Sequence, residues 1–148
     1  MLDFPNSPTI GQLFPATPIA NIPVWQWDGT SWEPTGPVGL TQGVIPVNSK
    51  SANYTLVLGD GGYCIYHPPT DNNARTFTIP ANASVAYPQG TVISFVNLIN
   101  TVTIAITTDT MYLAGPGTTG SRTLAAYGCC RAMKFDSTIW IISGTGLT

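Results

Sequence analysis

Residues 91–126 read TVISFVNLINTVTIAITTDTMYLAGPGTTGSRTLAA. Two β-rich runs, 91–97 and 101–106, are apolar at nearly every position, with Leu98, Ile99 and Asn100 between them. That spacing predicts a short hairpin. A polar corner over 107–111 follows, then a short MYLA run, a loop over 115–120 and a further strand over 122–126. Strands that are apolar on both faces need cover on both. The stretch therefore predicts a sheet core whose partner surface is another copy of the chain.

Composition points the same way. Only 8% of the 148 residues are Asp, Glu, Lys or Arg, against roughly 25% in an average soluble domain. So few charges predict either a surface covered in an assembly or one kept polar by Thr, Ser and Asn. The formal charge is −2 and the basic residues are scattered, so no nucleic-acid partner is expected. No apolar run has the length of a membrane helix, so no membrane partner is expected either. The segment MLDFPNSPTI lacks a basic start and an apolar middle, which predicts a soluble protein assembled in a cytoplasm.

Eight of the thirteen prolines fall in residues 1–47. Proline at that density excludes a helix and interrupts ladders, so 1–47 is expected to run as an extended arm. One island in it, 24–33, has an Asp28-Gly29 turn between aromatic flanks, which predicts a small hairpin. Trp25 and Trp27 share one strand face by period two, and Trp32 can pack across the turn. The hairpin either packs on itself or docks as an anchor. Tryptophan is favoured at binding hot spots, which favours the anchor, with Phe4, Phe14, Trp25, Trp27 and Trp32 as attachment candidates. Residues 38–50 read as a linker, with the boundary near Asn48.

Past the linker, strands are expected at 54–58, 63–67, 75–79, 129–135 and 138–143, and the last two form a hairpin across Asp136-Ser137. Phe77 and Ile79 alternate with Thr76 and Thr78. No helical period and no internal repeat stand out. The fold class predicted is all-β: a compact antiparallel sandwich or barrel-like domain over 48–148, carrying the proline-rich arm 1–47. Val92, Ile93, Phe95, Ile104, Ile106, Trp140 and Ile142 are the candidates for contact between copies.

Chemistry is sparse. His67, the one histidine, reads as a strand-end residue. Cys64 and His67 are three apart on a strand and face opposite sides, a poor metal pair within one chain. Three copies of His67 around a threefold axis are the remaining metal arrangement. Gly115 to Gly120 fits G-x-G-x-x-G by letter, but a strand follows it and Pro116 removes an N–H from the cradle. Cys64, Cys129 and Cys130 are an odd set without a secretion signal and read as small apolar residues rather than a disulfide framework. Asn53 and Asn82 head glycosylation sequons that are uninformative without secretion. Asp3, Asp28, Glu33, Asp60, Asp71, Asp109 and Asp136 fall mostly in turns, a local role that suffices for them. No catalytic, cofactor or metal site is expected.

A family resemblance fits these readings. LDFPNSPTIGQLF (2–14) followed by WQWDGTSW (25–32) resembles the N-terminal module of many tailed-phage virion proteins, which carry FPNSPT.G..F and then W.WDG..W. SANYTLVLGDGGYCIYHP (51–68), ARTFTIPANASVAYPQGTVISFVN (74–97), TIAITTD (103–109), LAGPGTTGSRTLAAYG (113–128) and WIISGTGLT (140–148) resemble a β domain at the C-terminal end of phage structural proteins. The resemblance implies a non-enzymatic, usually trimeric fibre, appendage or decoration subunit. Its expected location is the virion, and its partners are its own copies and the capsid, portal or tail. The chain is short for a long fibre, which favours a capsid decoration or head-fibre role. A tail-fibre tip binding a host glycan through Tyr63, Tyr66, Tyr87, Tyr112 or Tyr127 is the alternative, and a small glycan depolymerase is a second one.

Overall fold

A computed structural model describes residues 4–17, 24–34 and 44–148. Asp3, Pro18, Pro23, Pro37 and the expected linker positions 38–43 lie outside them. The chain divides into two compact units, Met1–Val44 and Ile45–Thr148.

In the first unit three short strands form one antiparallel sheet, β1 (Leu13–Phe14), β2 (Trp25–Trp27) and β3 (Trp32–Pro34), in the order β1-β2-β3. The β2–β3 turn is the expected Asp-Gly hairpin. Gly29 sits at φ 110°, and Asp28 Oδ1 accepts from the backbone N–H of Thr30 and of Ser31, both at 2.7 Å. Those two donors, Ser31 first, hold the Asp28 carboxyl below its usual range. β1 is an addition that proline density alone did not predict.

The second unit is all-β, as expected, but its strands do not pair as an antiparallel sandwich. Strands β4 (Val47–Ser49), β6 (Cys64–His67) and β8 (Val92–Asn97) stack in parallel. Strands β5 (Tyr54–Thr55), β7 (Arg75–Ile79) and β9 (Val102–Ile106) form a second parallel stack. The chain therefore alternates between two stacks and lays down one strand of each per circuit. The circuits are unequal: Val47 pairs with Cys64, but Cys64 pairs with Ser94. That inequality hides the repeat from the sequence.

A long strand, β11 (Arg122–Asp136), closes both stacks. Its first residues pair antiparallel with β9 (Leu124 opposite Val102) and its later ones with β8 (Cys130 opposite Phe95). Between them the strand bends at Tyr127, φ 61°, and Gly128. A Cβ on Gly128 would lie 2.8 Å from the Ala125 carbonyl oxygen, a backbone atom that cannot swing away, so the bend needs glycine there. β12 (Ile139–Leu147) returns along β11 across the expected Asp136-Ser137 turn, and β10 (Thr110–Leu113) adds in parallel to β12.

Runs 91–97 and 101–106 are therefore not a hairpin, because β11 lies between β8 and β9 in the sheet order. Asn97 explains the corner. It is fully buried. Its side-chain nitrogen donates to the carbonyls of Asn100 and Leu124, and its side-chain oxygen accepts from Ile99 N–H. Asn100 takes φ 54°, a conformation asparagine tolerates well. Likewise 54–58 is a two-residue strand followed by a 3₁₀ turn at Leu58–Asp60, and Val47–Ser49, read as linker, are β4. One core joins the two stacks, with Ile65, Ile93 and Phe95 on one side and Phe77, Ile79, Val102 and Ile104 on the other.

Candidate functional site

The five arm aromatics pack on one another. Phe4 lies 5.0 Å from Phe14, 5.7 Å from Trp25 and 5.1 Å from Trp32 between ring centroids, the last stacked at 23°. Trp27 and Trp32 are cross-strand partners 5.7 Å apart. Each of the five is half-buried within its own unit. The structure thus has the self-packed hairpin, extended by Phe4 and Phe14, and leaves part of every ring open. The Trp25 Nε1 is buried without an acceptor among the described residues.

Of the seven residues expected to meet another copy, five point inward. Ile93, Phe95, Ile104, Trp140 and Ile142 are at most 1% exposed because they pack together in the chain's own core. Val92 and Ile106 are half-buried. Alternation identified two faces on each strand, but which face the fold encloses depends on partners far along the chain.

The register identifies the outward face. Partners in a ladder point the same way, so Tyr66, Val96 and Cys129 form one row, and Cys64, Ser94, Arg131 and Ser143 the next. Val92, Met133, Ile141 and Tyr112 form a third. A shallow groove of ≈ 430 Å³ crosses this face, with Ile45, Val92, Val96, Cys129 and Arg131 in its lining. Apolar side chains dominate it, and Arg131 is the one charged residue in the three rows. At the open edge of the first circuit Ile45, Val47, Val57 and Leu58 are 52–63% exposed.

The outward face of the other stack is different. Thr55, Thr78 and Ala105 form one row, and Thr76, Thr103 and Thr123 another. That surface is polar without charge. Meanwhile Asp60, Asp71, Asp109 and Lys134 are buried, so the surface is poorer in charge than the composition.

Those buried charges organise loops. Asp60 accepts from Asn48 Nδ2, Tyr54 O–H and Val57 N–H at 2.8–2.9 Å. Asp71 takes a bidentate pair of bonds from Arg75, at 2.6 and 2.8 Å, and another from Asn73. His67, fully buried, spans Asn97 Oδ1 at 2.8 Å and Asp71 Oδ2 at 3.1 Å. It is a strand-end residue as read, and its burial removes it as a surface ligand on a threefold axis. No group of three metal-ligating side chains occurs among the described residues. The 115–120 loop closes as a wide turn in which Gly117 N–H bonds Leu113 O and Gly120 N–H bonds Met111 O.

Of the five tyrosines considered for glycan contact, Tyr87 is buried and its hydroxyl donates to Val57 O at 2.6 Å. Burial, then the Asp60 carboxylate and Tyr54, push its ionisation far up. Tyr66 is half-buried, Tyr63 and Tyr112 are 36% and 37% exposed, and Tyr127 is 83% exposed. Sequence reasoning missed Lys134, a cation at an inward position. The signal available was its place two and four residues after Ala132 and Cys130 on one strand face.

No protein-family model, curated protein or solved structure matches this chain.

Proposed function

We propose that this chain is a non-enzymatic structural subunit of a tailed-phage particle, a trimeric capsid decoration or head-fibre protein. In this reading the apolar outward rows meet other copies and the aromatic N-terminal unit attaches to the particle. The observation that carries the reading is the Tyr66-Val96-Cys129 and Val92-Met133-Ile141-Tyr112 surface, which is apolar, almost free of charge and ready-formed. Contiguous exposed apolar area of this kind marks an interaction surface, and closed symmetric assembly is the usual way to cover it. The arm motif supports the attachment role by resemblance.

A tail-fibre tip that binds a host glycan is the second reading, and the protruding Tyr127 favours it. A depolymerase needs two carboxylates across one groove. Here Asp60, Asp71 and Asp109 are buried and committed to loops, and the charged residue in the groove lining is Arg131.

Sedimentation of the full-length chain tests the proposal. A stable trimer is expected, and a monomer at every accessible concentration overturns it. Val96→Arg, on the outward face, should give a folded monomer.

A further inference from the structure

β11 turns Cys130, Ala132 and Lys134 toward the core. The first two are small and apolar. Lys134 is a cation with 1% of its side chain exposed. Its Nζ donates to Asn82 Oδ1 at 2.8 Å, lies 4.0 Å from Asp109 Oδ2, and sits 5.2 Å from the centroid of the Trp140 ring. Both Asp109 oxygens accept the backbone N–H of Asn82, at 3.1 and 3.2 Å. One carboxylate therefore fixes the residue that faces the amine and also lies near the amine itself. Trp140 is wholly buried, with Tyr87 edge-on to it at 5.5 Å.

These three side chains are the components of an amide exchange. There is an amine, an acyl carbon whose leaving group is ammonia, and a carboxylate to carry protons. The geometry points to an intramolecular isopeptide bond between Lys134 Nζ and Asn82 Cγ, formed with Asp109 as proton carrier.

The Lys134 ammonium gives one proton to Asp109, and the free amine attacks Asn82 Cγ. A C–N bond forms while the carbonyl electron pair moves to Oδ1. Asp109 returns its proton to the carboxamide nitrogen. The Cγ–Nδ2 bond breaks as the carbonyl reforms and ammonia leaves, and the second proton leaves Nζ through Asp109 for that ammonia, which departs as ammonium. No oxidant, metal or co-reactant is needed. The apolar walls keep water from competing. Asn82 is half-exposed, which leaves ammonia a way out. Holding amine and acyl carbon side by side removes the entropic barrier of a bimolecular step. The bond would join the 80–90 crossing to the strand that closes both stacks.

The test is the intact mass of the folded full-length protein, measured in denaturant after incubation at neutral pH. The expected mass is short of the sequence value by one ammonia. Trypsin should release a branched species joining 76–122 to 132–148, uncut after Lys134. Lys134→Met should abolish it, and Asp109→Asn should slow it about 100-fold or more. A folded wild-type chain at full sequence mass overturns the proposal, as does an ammonia loss located on a linear peptide. Neither outcome depends on a variant folding. Bond formation at the wild-type rate in Asp109→Asn overturns the role given to Asp109.

Discussion

Asn97 and Leu124 are joined by a buried hydrogen bond, 3.0 Å from the Asn97 side-chain nitrogen to the Leu124 carbonyl. The bond ties the end of one parallel stack to the strand that closes the other. Asn97 also bonds His67, Ile99 and Asn100. Asn97→Ala strands several buried groups at once, each costing about 1–3 kcal/mol. The expected loss is on the order of 3 kcal/mol or more in urea unfolding.

Gly144 faces Cys130 across β11 and β12. A Cβ there would overlap the Cys129 carbonyl and the Cys130 backbone. Backbone cannot yield as a flexible side chain can, so Gly144→Ala should destabilise the fold by about 1–3 kcal/mol. Gly62→Ala is a useful contrast. It has open space around its Cβ position but a φ of 83°, so its cost is conformational, about 1 kcal/mol. Denaturant midpoints of the two variants measure both.

Stability should fall in acid partly through Asp71. The bonds from Arg75 first, then Asn73 and His67, hold its carboxyl well below the usual carboxylate range. A depressed folded value means that the stabilisation is fully present above the unfolded value of about 3.9. It is lost as pH falls further through the folded value. Thermal melts of wild type and Asp71→Asn should therefore differ most near neutrality and converge below about pH 4. A gap that stays constant with pH would exclude this origin.

The cysteines should react unequally. Cys129 is exposed and Cys130 is buried beside it. Burial, with smaller contributions from Cys129 and Cys64, pushes the Cys130 thiol up to about 12, and burial also raises half-buried Cys64. Since the thiolate is the nucleophile, iodoacetamide at mildly alkaline pH should label Cys129 of the Val96→Arg monomer first and Cys130 only on unfolding. Peptide mapping of a time course reads the order.

The expected assembly surface has its own contrast pair. Val96→Arg changes a half-buried outward residue and should cost the monomer about 1 kcal/mol or less while abolishing the trimer. Phe95→Arg, one position away, places a charge in the core and should prevent folding. Sedimentation and circular dichroism of both variants separate a surface effect from a core effect.

Local pattern carried part of this fold. The alternation of Phe77 and Ile79 with Thr76 and Thr78, the Asp28-Gly29 hairpin and the turn at Asp136-Ser137 depend on residues two to four apart, and all three are present. Strand direction and partner were not legible. Leu98-Ile99-Asn100 has the length of a hairpin loop, and only the buried Asn97 side chain makes it a corner. The pairing that decides it, Leu124 with Val102 and Cys130 with Phe95, spans positions the local pattern does not relate. For the same reason the strands showed which residues share a face, but five of the seven assigned to the outside belong within. Lys134 escaped notice because a lone lysine in a strand ordinarily points to water.

The parallel circuits have a consequence for how such a domain can change size. Each circuit contributes one strand to each stack, and neighbouring strands lie about 4.8 Å apart. Inserting a circuit between β5 and β6 would lengthen the body by that step. The β11 closure and the exposed first edge at Ile45 and Val47 would stay unaltered. Height is set by how many times the chain goes round, and the two ends are kept as fixed fittings.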